Sequence, residues 1–115
     1  MIEVYGIANC DTVKKARTWL SEQGIDFVFH DFKKNAPTEA QIRAWLGDIE
    51  LNVLLNKRGT TWRKLSSEEQ AQAETEAGAI ALMLANPSII KRPVLAKDGK
   101  YFCGFQAEQY QEIFA

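Results

Sequence analysis

Val4-Tyr5-Gly6-Ile7-Ala8-Asn9-Cys10-Asp11-Thr12-Val13-Lys14-Lys15-Ala16-Arg17-Thr18-Trp19-Leu20 passes from one periodicity to another. The apolar run over residues 1–5 predicts a buried strand, and a short turn containing Gly6 follows it. Val13, Ala16 and Leu20, with Trp19 beside them, then recur at helical spacing. Cys10 stands where strand gives way to helix, with Asn9 or Asp11 as the expected N-cap side chain. The free amides and positive dipole end of a helix N-terminus favour an anion. A thiolate is such an anion, so this placement favours a reactive cysteine. Lys14, one turn further in, would add to the field.

Outward from this stretch, Gly24 predicts the helix C-cap, and residues 25–32 (Ile-Asp-Phe-Val-Phe-His-Asp-Phe) predict a second strand. Strand, helix and strand in so short a span suggest a βαβ unit with a parallel pair. Thr38 and Gln41 make a capping-box pattern for a helix carrying Ile42, Trp45 and Leu46 and ending near Gly47. Residues 51–55 predict a short helical turn and residues 56–61 a basic, polar loop. Ser66 or Ser67 can cap a further helix, broken near Gly78 and running to Ala85, where Asn86-Pro87 ends it. Val94-Leu95-Ala96 predicts a strand, Asp98-Gly99 a two-residue hairpin turn, and residues 100–103 the returning strand. A last helix spans residues 107–114. The expected class is α/β: the βαβ plus ββα order of a thioredoxin-like fold, with an inserted helical subdomain. The expected organisation is one domain over residues 1–115, with a core from about 1–35 and 88–115 and an insertion from about 38–86.

Composition narrows the function classes. The 115 residues fit one domain, and 46% hydrophobic content can build a core. A formal net charge of -1 and no basic run argue against nucleic acid as a partner. No apolar run approaches a membrane span, and no signal-peptide pattern opens the chain. Two widely separated cysteines do not resemble a secreted disulfide framework, so a reduced cytoplasm is the expected compartment.

Three segments together resemble one family: Tyr5-Gly6-Ile7-Ala8-Asn9-Cys10, Leu54-Leu55-Asn56-Lys57-Arg58-Gly59 and Ile90-Lys91-Arg92-Pro93-Val94-Leu95. The chain is similar to the ArsC/Spx family, in its YffB-type branch, over nearly its whole length. The resemblance implies a cysteine nucleophile at Cys10 and a cis peptide bond at Pro93 facing it. The glutaredoxin-linked arsenate reductases of the family add three arginines that hold the oxyanion. Arg92 matches the arginine before proline. The other two positions hold Asn56, with Arg58 two residues on, and Gly104, so efficient arsenate reduction is not expected. Spx-type adaptors, which bind RNA polymerase, usually carry Cys-x-x-Cys at the turn; here its second position is Val13.

The expected activity is therefore that of a thiol-dependent, glutathione-using oxidoreductase with Cys10 as nucleophile. The alternative is an Spx-like adaptor that binds a protein partner. Arg92 and Arg58 would hold a carboxylate or oxyanion, with Asn9, Lys14 and Pro93 completing the substrate side. Glutathione is the expected co-substrate, with glutathione or a glutaredoxin-like protein as reductant. No bound cofactor, metal or membrane contact is expected, and the chain is expected to be a monomer. Many free cysteines are merely small buried residues, and that reading suits Cys103, expected at a sheet edge away from Cys10. His30 falls in the second strand, beyond reach of the helix start. Arg17 lies inside the first helix, and its spacing from Cys10 does not fit a phosphatase-type loop.

Overall fold

The computed structural model describes residues 1–115. The elements are β1 (Ile2–Gly6), α1 (Asp11–Glu22), β2 (Phe27–Asp31), α2 (Glu39–Leu46), α3 (Leu51–Leu54), α4 (Thr60–Lys64), α5 (Ser67–Ala71), α6 (Glu76–Ala85), β3 (Val94–Lys97), β4 (Lys100–Cys103) and α7 (Ala107–Ile113). Single 3₁₀ turns cover Gln72–Glu74 and Pro87–Ile89. The chain divides into two compact units, Met1–Asn35 with Arg92–Ala115, and Ala36–Lys91.

The first unit is a four-stranded sheet in the order β2-β1-β3-β4. β1 pairs parallel with β2 and antiparallel with β3, and β3 pairs antiparallel with β4. This is the thioredoxin-like arrangement. α1 ends in a Schellman motif: Gly24, at φ 69°, donates to the Ser21 carbonyl, and the Ile25 N–H reaches back to Leu20. Gln23 is the C-cap and Gly24 the residue after it. The β3–β4 turn holds Asp98 at φ 53° and Gly99 at φ 79°, the backbone a tight hairpin requires. α1 and α7 cover one face of the sheet, where Val4, Leu95, Ala16, Leu20 and Tyr110 form the buried core. Each such aliphatic side chain contributes about 1.5–3 kcal/mol on burial.

Tyr110 carries an anomaly. Its ring meets Phe105 edge-on at 4.7 Å and Trp19 at 5.5 Å, yet its buried hydroxyl has no hydrogen-bond partner. A buried, unsatisfied hydroxyl costs about 1–3 kcal/mol. Tyr110→Phe should therefore stabilise the protein, by about 1 kcal/mol, in urea unfolding at neutral pH. Burial, then the neighbouring Cys103, pushes the phenol well above its ordinary value. The unfolded phenol ionises from about pH 10 while the folded one keeps its proton. Stability is thus lost as pH rises through and above 10, and the advantage of Tyr110→Phe should widen there. A variant less stable than the parent would disprove the orphan hydroxyl.

The second unit is helical. Thr38 and Gln41 form the capping box of α2, and Ser66 with Glu69 that of α5. Ile42 and Trp45 of α2 are buried, as are Ile80 and Met83 of α6. The chain returns by an antiparallel bridge, Leu55 to Ile90, flanked by bonds from Asn56 N–H to Ile89 and from Lys91 N–H to Leu54, both 2.7 Å. Two expectations change here. Thr60 and Thr61 open α4 instead of continuing the loop. The helical break falls at Thr75, whose hydroxyl accepts the Gly78 N–H at 3.1 Å and caps α6.

Candidate functional site

Cys10 closes the turn that follows β1. Its N–H donates to the Ile7 carbonyl at 3.2 Å, and its own carbonyl accepts the Lys14 N–H at 2.9 Å. That places Cys10 itself at the N-cap, in extended backbone conformation, with no side-chain oxygen bonded to the helix amides. The expected cap at Asn9 or Asp11 is corrected. Asn9 is spent inside the turn and points to solvent, while Asp11 is already helical. The free amides of the first turn of α1 remain open to an anion beside a half-buried thiol. Lys14 is exposed one turn along.

The register brings Arg92 to this turn. Tyr5 pairs with Val94 across the antiparallel β1–β3 ladder, so Pro93 and Arg92 emerge opposite Gly6, at the strand end that leads to Cys10. Gly6 marks the closeness. A Cβ there would lie 3.8 Å from Arg92 Cβ and 2.8 Å from Val13 Cγ2, a distance that requires a shift. The Arg92-Pro93 bond is cis, and Pro93 is buried. The Pro93 carbonyl accepts the Gly104 N–H at 2.9 Å. Cys10, Asn9, Lys14, Arg92 and Pro93 thus share one unit and one end of its sheet.

Arg58 belongs to the other unit. Its guanidinium is exposed, and its N–H donates to Asn56 Oδ1 at 3.1 Å. Asn56 therefore shapes its own loop ahead of α4. Gly104 sits at φ 78°, a backbone that an arginine adopts only with strain. Cys103 lies on edge strand β4, but not away from the site as expected. It pairs with Val94 at the same sheet end. Two strand spacings, about 9.5 Å, separate its strand from β1, beyond the roughly 7 Å that a disulfide spans between Cα atoms. Both cysteines are free. His30 serves the sheet: its ring stacks on Tyr5 at 4.6 Å and Nε2 meets Glu3 at 3.0 Å.

The ArsC family model matches residues 5–113. The chain belongs to the ArsC family. An uncharacterised protein of Haemophilus influenzae is 41% identical over the full length of both chains. The solved YFFB protein is 43% identical, with a TM-score of 0.94 and full coverage of both chains. A protein of Brucella melitensis described as related to arsenate reductase (ArsC) is 46% identical, with a TM-score of 0.76, covering 98% of this chain and 93% of that one. The family extends to regulators: the global transcriptional regulator Spx 2 of Bacillus cereus is 23% identical over 98% of this chain and 86% of its own. No helix of this ArsC-family chain is long and apolar enough to cross a membrane.

Proposed function

We propose that this chain is a glutathione-dependent thiol reductase working through one cysteine. The observation that supports the reading is that Cys10, at the uncapped start of α1, and Arg92, delivered beside Gly6 by the β1–β3 register, stand at the same end of one sheet. The Cys10 thiolate attacks the glutathione sulfur of a mixed disulfide. A Cys10–glutathione disulfide forms, and the substrate leaves as a thiolate that takes a proton from water. A second glutathione thiolate then attacks the glutathione sulfur of the adduct, releasing oxidised glutathione and restoring Cys10. Val13 stands where a resolving cysteine would, so the second thiol comes from outside, as glutathione or a glutaredoxin-like protein. Arg92 pairs with a carboxylate of the bound tripeptide. The test is reduction of a glutathionylated peptide by glutathione, followed through glutathione reductase. Turnover above the uncatalysed rate, lost in Cys10→Ser, is the expected result; equal rates with and without the protein would end the proposal.

Arsenate should be a poor substrate. An oxyanion in transit needs several fixed donors, and removing one well-placed donor costs on the order of a hundredfold in rate. Two of the three family arginine positions hold Asn56 and Gly104. Arsenate turnover with glutathione and glutaredoxin should therefore stay near background, and brisk turnover would point to Arg58 as a substitute cation.

The second reading, an adaptor for a protein such as RNA polymerase, draws on the likeness to the Spx regulators. Affinity capture without any thiol reagent separates the two, since a stoichiometric transcription partner would favour the adaptor.

A further inference from the structure

A groove of about 520 Å³ runs along α1 beside edge strand β2, lined by Lys14, Arg17, Thr18, Ser21, Glu22 and Phe27. At 3.6 residues per turn, Lys14, Arg17 and Ser21 fall within about 60° of one another around α1, and Cys10 is the N-cap one turn before Lys14. The cysteine therefore stands at the head of a stripe whose next members are two cations. The side of the helix about 100° round carries Val13, Ala16 and Leu20 into the core, so the stripe lies along the border of the sheet. Arg17 is held there: its guanidinium carbon lies 4.1 Å from the centroid of the Phe29 ring. Stacked this way, the planar group keeps its N–H edges available for a carboxylate. Neither Lys14 nor Arg17 takes part in an ion pair within the chain.

We propose that this groove seats a carboxylate of the small thiol that becomes joined to Cys10, with Lys14 and Arg17 as its cationic partners. The inference rests on the glutathione reading above and adds the direction in which the tripeptide lies. The rise along a helix puts Lys14 about 6 Å and Arg17 about 10 Å beyond Cys10. An extended chain spans at most about 3.3–3.6 Å per residue. Each glutathione carboxylate belongs to a residue next to the cysteine, so over those two residues, about 7 Å, one carboxylate arrives between the two cations. Glu22, at the far end of the groove, repels an anion and sets where the ligand stops. Arg92, at the end of the sheet, serves the other carboxylate.

S-methylglutathione tests this without disulfide chemistry. Titrated into the intact protein and followed by NMR, it should shift the Lys14, Arg17 and Phe27 signals. Lys14→Gln and Arg17→Gln should each weaken binding about fivefold. Arg17→Lys, which keeps the charge, should retain most of the affinity, and this guards against a loss caused by disturbed packing on Phe29. The dimethyl ester of the same ligand, which lacks both carboxylates, should bind the parent protein more weakly than the acid binds either glutamine variant. Unshifted Lys14 and Arg17 signals, unaltered affinity in both glutamine variants, or an ester that binds as well as the acid would overturn the proposal. If oxidised glutathione modifies Cys10 while the stripe stays silent, the groove assignment alone fails. If the stripe responds but Cys10 takes no adduct, the groove stands and the reductase reading fails.

Discussion

Treatment with oxidised glutathione is expected to add one glutathione to Cys10 and none to Cys103. The attacking species in disulfide exchange is the thiolate. Cys10 alone stands at a helix start, where the open amides of α1 and the positive dipole end favour that form. Cys103 ends edge strand β4, beside the buried Tyr110, and stands at no helix start. Once formed, the adduct should persist until an external thiol is added, because Val13 cannot release it and Cys103 stands on a strand about two spacings from β1. Cys10→Ser should abolish the mass increase. Arg92→Ala should slow it severalfold without moving it, since one ion pair to a carboxylate is worth about 0.2–1 kcal/mol when exposed and more when half-buried. Intact mass and peptide mapping read all three outcomes. Mass on Cys103, or an internal Cys10–Cys103 disulfide, would refute the monothiol mechanism.

Gly78→Ala should destabilise the protein by about 3 kcal/mol. Helix propensity alone predicts the opposite, a gain of about 1 kcal/mol for replacing a helical glycine by alanine, so the sign decides the matter. A Cβ at position 78 would run into the backbone carbonyl oxygen of Gln72, in the 3₁₀ turn folded against the start of α6. The carbonyl cannot rotate away as a side chain could. Either the turn or the first turn of α6 must shift, and the Thr75 cap with it. For a domain with some 5–15 kcal/mol in hand, that loss is large enough to read in a single urea titration. An alanine variant as stable as the parent would mean that the two turns do not pack as described.

The features legible in the sequence are those set by neighbours. Asp98-Gly99 marks its turn because few residue pairs accept positive φ twice in succession, and the strands on either side follow. Thr38 with Gln41 starts α2 for a similarly local reason: the side chain of each accepts the backbone N–H of the other. Ambiguity begins where several residues could serve. Asn9, Cys10 and Asp11 all stand near the start of α1, and only the Lys14 N–H donating to the Cys10 carbonyl shows which is the N-cap. Gly78 looked like the break itself; it is the small residue that lets the real break, at Thr75, fold tightly. The approach of Arg92 to the cysteine turn depends on a strand register between opposite ends of the chain, which no periodicity reveals. The same register moves Cys103 from a remote edge to the site's end of the sheet. The ArsC resemblance supplied Arg92 in advance; Arg17, set aside because its spacing from Cys10 fits no phosphatase-type loop, is distinguished only by the Phe29 ring that β2 brings to it, which no motif encodes.

The pairing of β1 with β3 has a consequence for the chain as it is made. β1, α1 and β2 leave the ribosome before β3 and β4 and until then can form only their parallel pair, a two-stranded unit too small to be stable alone. The apolar side of α1 must wait, through synthesis of the whole insertion, for Leu95 and Tyr110 to cover it. Such distant pairings close slowly, because the entropy of the intervening loop is lost before any contact repays it. The segment that finally completes the sheet begins at Arg92. The nascent protein therefore carries Cys10 long before it has Arg92, and the candidate site is completed in the same event that closes the fold.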